Sequence, residues 1–167
     1  SRRPQARGLV RDPAKVLDLP PGFTYRFIDG AGEPMSDGYR VPNLPDGMGC
    51  FATGRGQLVL LRNHEITRHF GHGAYASNDP PPEAYDKTCG GGSCPWGWIA
   101  CEEINEAGHG YAFLCSPDAE RVAKPDRLDG YGRFTHEAVG FDPATFNAYM
   151  TEDRADGCLY RFVPANQ

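Results

Sequence analysis

Glycine and proline punctuate this chain so often that long helices have no room to form. The 167 residues include 21 Gly and 15 Pro, more than a fifth of the whole. Glycine loses the most backbone entropy in a regular element and proline lacks a backbone donor, so this density favours short strands joined by turns. Between the breakers lie short apolar or alternating runs, which predict strands at Phe23–Ile28, Leu58–Arg62, Trp98–Cys101, Tyr111–Cys115, Ala138–Phe141, Tyr149–Thr151 and Leu159–Val163. No run with helical periodicity exceeds two turns. Residues 1–22 read as a polar, Pro-rich N-terminal arm, 29–50 as a long ordered loop, and His69–Lys87, with Pro80-Pro81-Pro82, as surface loop. The expected class is all-β.

The bulk properties exclude several functions. A hydrophobic content of 40%, a charged content of 23% and a net charge of -5 describe a globular chain rather than a disordered tail. No apolar run reaches the ~18 residues of a membrane span. No basic stripe is present to replace the counterions of a nucleic acid. Ser1-Arg2-Arg3-Pro4 is followed by no apolar segment, so it reads as part of the arm and not as a twin-arginine signal. Six cysteines, at 50, 89, 94, 101, 115 and 158, suit an oxidising, extracytoplasmic compartment, and their spacing selects no pairing. If one of them holds metal, five remain and at least one more is unpaired within the chain.

A weak repeat runs through the second half. Trp98–Glu103, then a Gly-containing turn, Gly110–Leu114 and Pro117 is matched by Ala148–Asp153, a turn, Gly157–Val163 and Pro164. Each copy is a strand ending in adjacent carboxylates, followed by a turn, a strand and proline. Leu58–Arg62 also ends near an acid, in Asn63-His64-Glu65. Glu103 and Glu152 stand 49 residues apart, close to the ~40–50 residues of a propeller blade, so the period favours a β-propeller over a sandwich. Inner strands of a propeller end at one mouth, where acids from several blades meet. Such a cluster repels itself unless cations join it.

Two local patterns invite chemistry. His64, Glu65, His69 and His72 miss the His-Glu-x-x-His spacing of a helical zinc site, and Gly71 and Gly73 disfavour the helix. Thr88-Cys89-Gly90-Gly91-Gly92-Ser93-Cys94 lacks the Gly-Lys-Ser/Thr of a phosphate loop and the Cys-x-x-Cys of a redox site. Its three glycines let the backbone approach something closely. The segment is either a tight loop stapled by a Cys89–Cys94 disulfide or a carrier that holds a thiolate against a metal.

Several segments resemble the PhoX family of alkaline phosphatases. They are Leu17–Arg26, Gly32–Gly38, Pro45–Gly49, Arg62-Asn63-His64-Glu65, Cys89–Gly92, Pro95-Trp96-Gly97, Cys101-Glu102-Glu103, Thr135–Ala138 and Thr151–Arg154, in the family's order. The resemblance covers most of the chain. It implies a six-bladed propeller that hydrolyses phosphomonoesters with a cluster of two iron and three calcium ions. Carried over by motif, Cys89 is the thiolate on iron, Glu103 binds or bridges iron, Glu137 and Glu152 are carboxylate ligands, and Asn63 lies near the phosphate. The expectation is an N-terminal arm (1–22) and a partial β-propeller (23–167), about half of the six blades. Implied with it are iron and calcium as cofactors, a small phosphorylated substrate and a periplasmic or secreted location. The pattern departs from the family where the loop after Lys87 runs straight into the Cys motif without an intervening strand-rich stretch. Cys94 also occupies a position that is usually not cysteine. The alternative function is a non-catalytic, propeller-like module that binds calcium or protein.

Overall fold

The computed structural model describes residues 8–54, 56–66, 88–120 and 124–165. Residues up to Gly30 form one compact unit and those from Ala31 onward a second.

The second unit is all-β. Its strands are β1 (Pro45–Ala52), β2 (Leu58–His64), β3 (Gly92–Cys94), β4 (Gly97–Cys101), β5 (Ala112–Cys115), β6 (Asp126–Arg127), β7 (His136–Phe141), β8 (Ala148–Glu152) and β9 (Leu159–Phe162), with one 3-10 turn at Asp129–Tyr131. They make three antiparallel sheets in sequence order, β1-β2, β3-β4-β5-β6 and β7-β8-β9. No α-helix occurs among the described residues, and no helix there is long and apolar enough to cross a membrane.

The core lies between the second and third sheets. Ile99 and Met150, 1% and 2% exposed, pack with Cys94, Cys101, Ala112, Val139 and Ala148, and aromatic residues such as Phe134 and Phe162 close the cluster. Burying a large apolar side chain such as Ile99 or Met150 contributes about 1.5–3 kcal/mol. The two sheets also join through their backbones. The Gly91 N–H donates to Glu137 O at 2.9 Å and the Val139 N–H to Gly91 O at 3.0 Å, so β3 and β7 run side by side in the same direction. A Cβ on Gly92 would stand 1.9 Å from Val139 O, and one on Gly47 would stand 1.7 Å from Gly90 O. What the glycine run approaches so closely is therefore the backbone of β7 and β1, and only glycine fits there.

Six of the seven expected strands are present with ends shifted by a residue or two. Phe23–Ile28 is not a strand. It follows a turn in which the Phe23 N–H bonds to Pro20 O, and Phe23, Phe27 and Ile28 are about 70% exposed. Alternating aromatic and polar residues make a strand only where a neighbouring strand takes up the ladder. The stretch 29–50, read as loop, contains most of β1, and part of the glycine segment is β3. The loop expected at His69–Lys87 lies outside the described residues.

Candidate metal centre

Pairing register makes the three sheets equivalent at one end. Pro45 faces His64 in the first, Thr88 faces Glu102 in the second, and His136 faces Glu152 in the third. One step along the leading strand, these pairs are followed by Asp46, Cys89 and Glu137. One step past the returning strand, they are followed by Glu65, Glu103 and Asp153. Before each ladder resumes at Met48–Arg62, Gly92–Ile99 and Val139–Met150, the leading strand carries one residue more than its partner. Such bulges re-aim a side chain and gather near functional sites. Here they fall where Asp46, Cys89 and Glu137 sit.

The side chains converge. Ligand atoms of Cys89, Glu103 and Glu137 lie within 4.8 Å of one another, and so do those of Asp46, Glu65 and Cys89. Cys89 belongs to both trios and is fully buried. Its sulfur lies 3.0 Å from Glu65 Oε1 and also contacts Glu103 Oε2. Burial, reinforced by hydrogen bonds to Glu103 and Glu65, pushes the Cys89 thiol far up. Burial also raises the Glu137 carboxyl, helped by the charge of Glu103 and, more weakly, of Asp46 and Asp153. Crowded acids around a protonated thiol are the state such a group takes without a cation. A cation reverses it by drawing off the protons.

Glu152 lies outside this group. Its Oε2 accepts from the Cys158 N–H at 3.3 Å and from the Tyr160 hydroxyl at 3.2 Å. Glu102, its counterpart in the second sheet, does the same: 3% exposed, it accepts from the N–H groups of Gly110 and Tyr111 at 2.8 and 2.9 Å. Successive residues of a strand face opposite sides. Glu102 and Glu152 therefore tie down the turns of their own hairpins, while Glu103 and Asp153, one residue on, take the other side. Of the four residues expected to converge, the structure gathers Cys89, Glu103 and Glu137 and leaves Glu152 apart, and it brings Asp46 and Glu65, which were not among the expected site residues, up to Cys89. The repeated strand-end acid was a signal for Glu65, whereas the one-residue register separating Asp153 from Glu152 is a property of the pairing.

Asn63, 6% exposed, stands behind Cys89. Its Oδ1 accepts from Trp98 Nε1 at 3.0 Å and its Nδ2 donates to Cys89 O. All six cysteines are free thiols, so the Cys89–Cys94 bridge is not formed. The physical reason is placement: Cys94 lies at the far end of β3 in the apolar core, and Cys89 faces the carboxylates.

A family model for alkaline phosphatase PhoX matches residues 5–88 and 86–167. The chain belongs to the PhoX family. The two matched stretches together cover nearly all of the chain and include Asp46, Glu65, Cys89, Glu103 and Glu137. Neither the curated proteins nor the solved structures give a significant match. The donor set fits the cofactor of a metal-dependent PhoX protein: thiolate suits iron, and several hard carboxylate oxygens suit calcium.

Proposed function

We propose that this chain carries part of the centre at which a PhoX-type enzyme hydrolyses phosphomonoesters with iron and calcium. The observation that carries the reading is the pair of ligand trios sharing Cys89. Cys89, Glu103 and Glu137 hold iron, and Asp46, Glu65 and Asp153 extend the carboxylate set towards calcium. When bound, the cations supply the positive charge that a phosphoryl group needs in flight. The chain's own part is to fix its donors on bulges at equivalent sheet ends, so that little reorganisation is required when metal and substrate arrive. Glu152 enters as the acid that shapes the β8–β9 hairpin.

The same equivalence supports a partial propeller. Each sheet starts on a leading strand at the acid end and returns to it on the second strand, as blades do around a common mouth. The family membership supports a small phosphorylated substrate and a periplasmic or secreted location.

The test is elemental analysis of purified protein for iron and calcium, together with hydrolysis of p-nitrophenyl phosphate before and after exhaustive chelation. Bound iron and calcium with chelator-sensitive turnover support the reading. Calcium without iron or turnover identifies a non-catalytic calcium-binding module instead, and full turnover after chelation rejects the centre.

A further inference from the structure

The carbonyl of Cys89 is held by an amide that is itself held from a different sheet. Asn63 is the penultimate residue of β2, and Trp98 lies on β4 of the next sheet. The indole N–H of Trp98 only donates and the carbonyl of Cys89 only accepts, so the amide between them has a single satisfactory orientation. Oδ1 must face the indole and Nδ2 the carbonyl, which is the arrangement seen. With Trp98 and Asn63 only 5% and 6% exposed, solvent has little access to exchange with either bond. The Cys89 N–H is fixed separately, to Cys101 O at 3.0 Å. Both backbone polar groups of the ligand residue are thus anchored, one from β4 directly and one from β2 by way of β4.

We propose that Trp98 is a positioning residue for the metal centre: through Asn63 it fixes the peptide of Cys89, and so the direction in which the sulfur faces Glu65, Glu103 and Glu137. The inference rests on Cys89 being a metal ligand. It gives Asn63 a task inside the fold beside the phosphate contact that the family resemblance implies. A metal ligand held only by its own strand would waver at a bulge, where the ladder bond is missing. The Trp98–Asn63 brace replaces that bond from a neighbouring sheet, which is how outer-shell partners tune metal sites.

The test compares the full chain with its Trp98→Phe and Asn63→Asp variants. Phenylalanine keeps an aromatic ring and removes the donor. Aspartate keeps the shape and the acceptor for Trp98 and removes the donor to Cys89, so it carries the test if Trp98→Phe fails to fold. Trp96→Phe, at the exposed tryptophan, is the control. Cobalt(II) serves as the metal probe, read by its sulfur-to-cobalt charge-transfer band. Amide hydrogen exchange of the metal-free protein is the second readout. Both test variants should bind cobalt about 10–100-fold more weakly with a shifted band. They should also exchange the Cys89 amide faster while the Met150 amide is unchanged, and the control should match wild type throughout.

Wild-type affinity, band and exchange in both variants would overturn the proposal. So would a loss of protection spread evenly over all strands, because Trp98 would then be mere packing. If wild-type protein gives no sulfur-to-cobalt band, the metal reading of Cys89 fails by itself, and exchange alone judges the brace. Selective loosening at Cys89 then supports it, and unchanged exchange refutes it.

Discussion

The same hairpins end in opposite chemistry. At one end of β3–β4 and β7–β8 stand Cys89, Glu103 and Glu137, whose acids crowd a buried thiol. At the other end Trp96, in the β3–β4 turn, stacks on Phe146 with ring centroids 5.7 Å apart and meets Phe141 edge-on at 5.5 Å. The aromatic end is 54% exposed at Trp96 and yet self-satisfied, because offset and edge-to-face rings attract one another. The acid end is more buried, and its members repel. A strand therefore spends stability at one tip and recovers it at the other, with the Ile99–Met150 core between them. Fold and function are separable here by position along the strand, and variants at the two ends should differ in sign as well as size.

The largest expected effect tests the equivalence of the three sheets at the acid end. Asp153→Asn should weaken metal binding at least as much as loss of an outer-shell partner, about 10–100-fold. Glu152→Gln should leave metal binding near wild type and instead loosen the β8–β9 hairpin, whose Cys158 N–H and Tyr160 hydroxyl it holds. Isothermal titration with cobalt(II) separates the two. If Glu152→Gln is the damaging change, register does not select the ligand.

Stability should next move upward. Glu137→Gln removes a carboxylate whose charge is opposed by burial and by Glu103, so the metal-free protein should gain stability, modestly because solvent screens a group that is only partly buried. The same variant should lose metal affinity. A urea midpoint that falls instead would mean that the acids are satisfied without cations.

How far this division could be read in advance depended on what each feature needs from the rest of the molecule. Gly/Pro density and short apolar runs are local, and they located β2, β4, β5, β7, β8 and β9. The strand at Phe23–Ile28 needed a partner that local pattern does not supply. In β1 the opposite held, since Pro45, Gly47 and Gly49 suggest a loop until Gly47 is seen lodged against Gly90. The convergence of Cys89, Glu103 and Glu137 was expected from motifs, and their side chains do come together. That Glu152 turns to its own hairpin instead has no motif behind it and shows only in its bonds to the Cys158 N–H and the Tyr160 hydroxyl. The Trp98–Asn63 bond joins residues 35 apart on different sheets and leaves no periodic trace in the sequence.

The opposite sign is expected at the aromatic end. Trp96→Ala should cost about 0.5–1.5 kcal/mol beyond its lost area and leave metal affinity unchanged. Phe146 adds a finer probe, since its φ of 57° is left-handed, a conformation costly to any side chain. Phe146→Ala keeps that strain and loses the ring, whereas Phe146→Gly loses both. The glycine variant should therefore be the more stable of the two by up to about 1 kcal/mol, read from thermal unfolding.

The smallest expected effect contrasts Glu137 with an acid of opposite sign in the N-terminal unit. Asp12 is held down to about 2, first by the Tyr25 hydroxyl at 2.7 Å and then by the Val16 N–H at 2.8 Å, against an opposing contribution from burial, with the Ala14 and Leu17 N–H groups adding less. Its carboxylate gathers the Asp12–Leu17 turn and ties Tyr25 to it. A folded value below the ordinary ~3.9 means that the ionised form favours the folded unit. That support is fully present above about 4 and is lost as pH falls towards 2. Because the carboxylate is exposed, solvent screens the interaction, and the change should appear as local loosening rather than global unfolding. NMR of the Val16 and Leu17 amides across this range should show them losing protection together with a shift of the Tyr25 ring signals. Asp12→Asn should abolish the acid step and leave these amides weakly protected at every pH. Amides that stay protected at pH 2 in the wild type would show that the turn stands without its carboxylate, and the contrast with the acid end would reduce to burial alone.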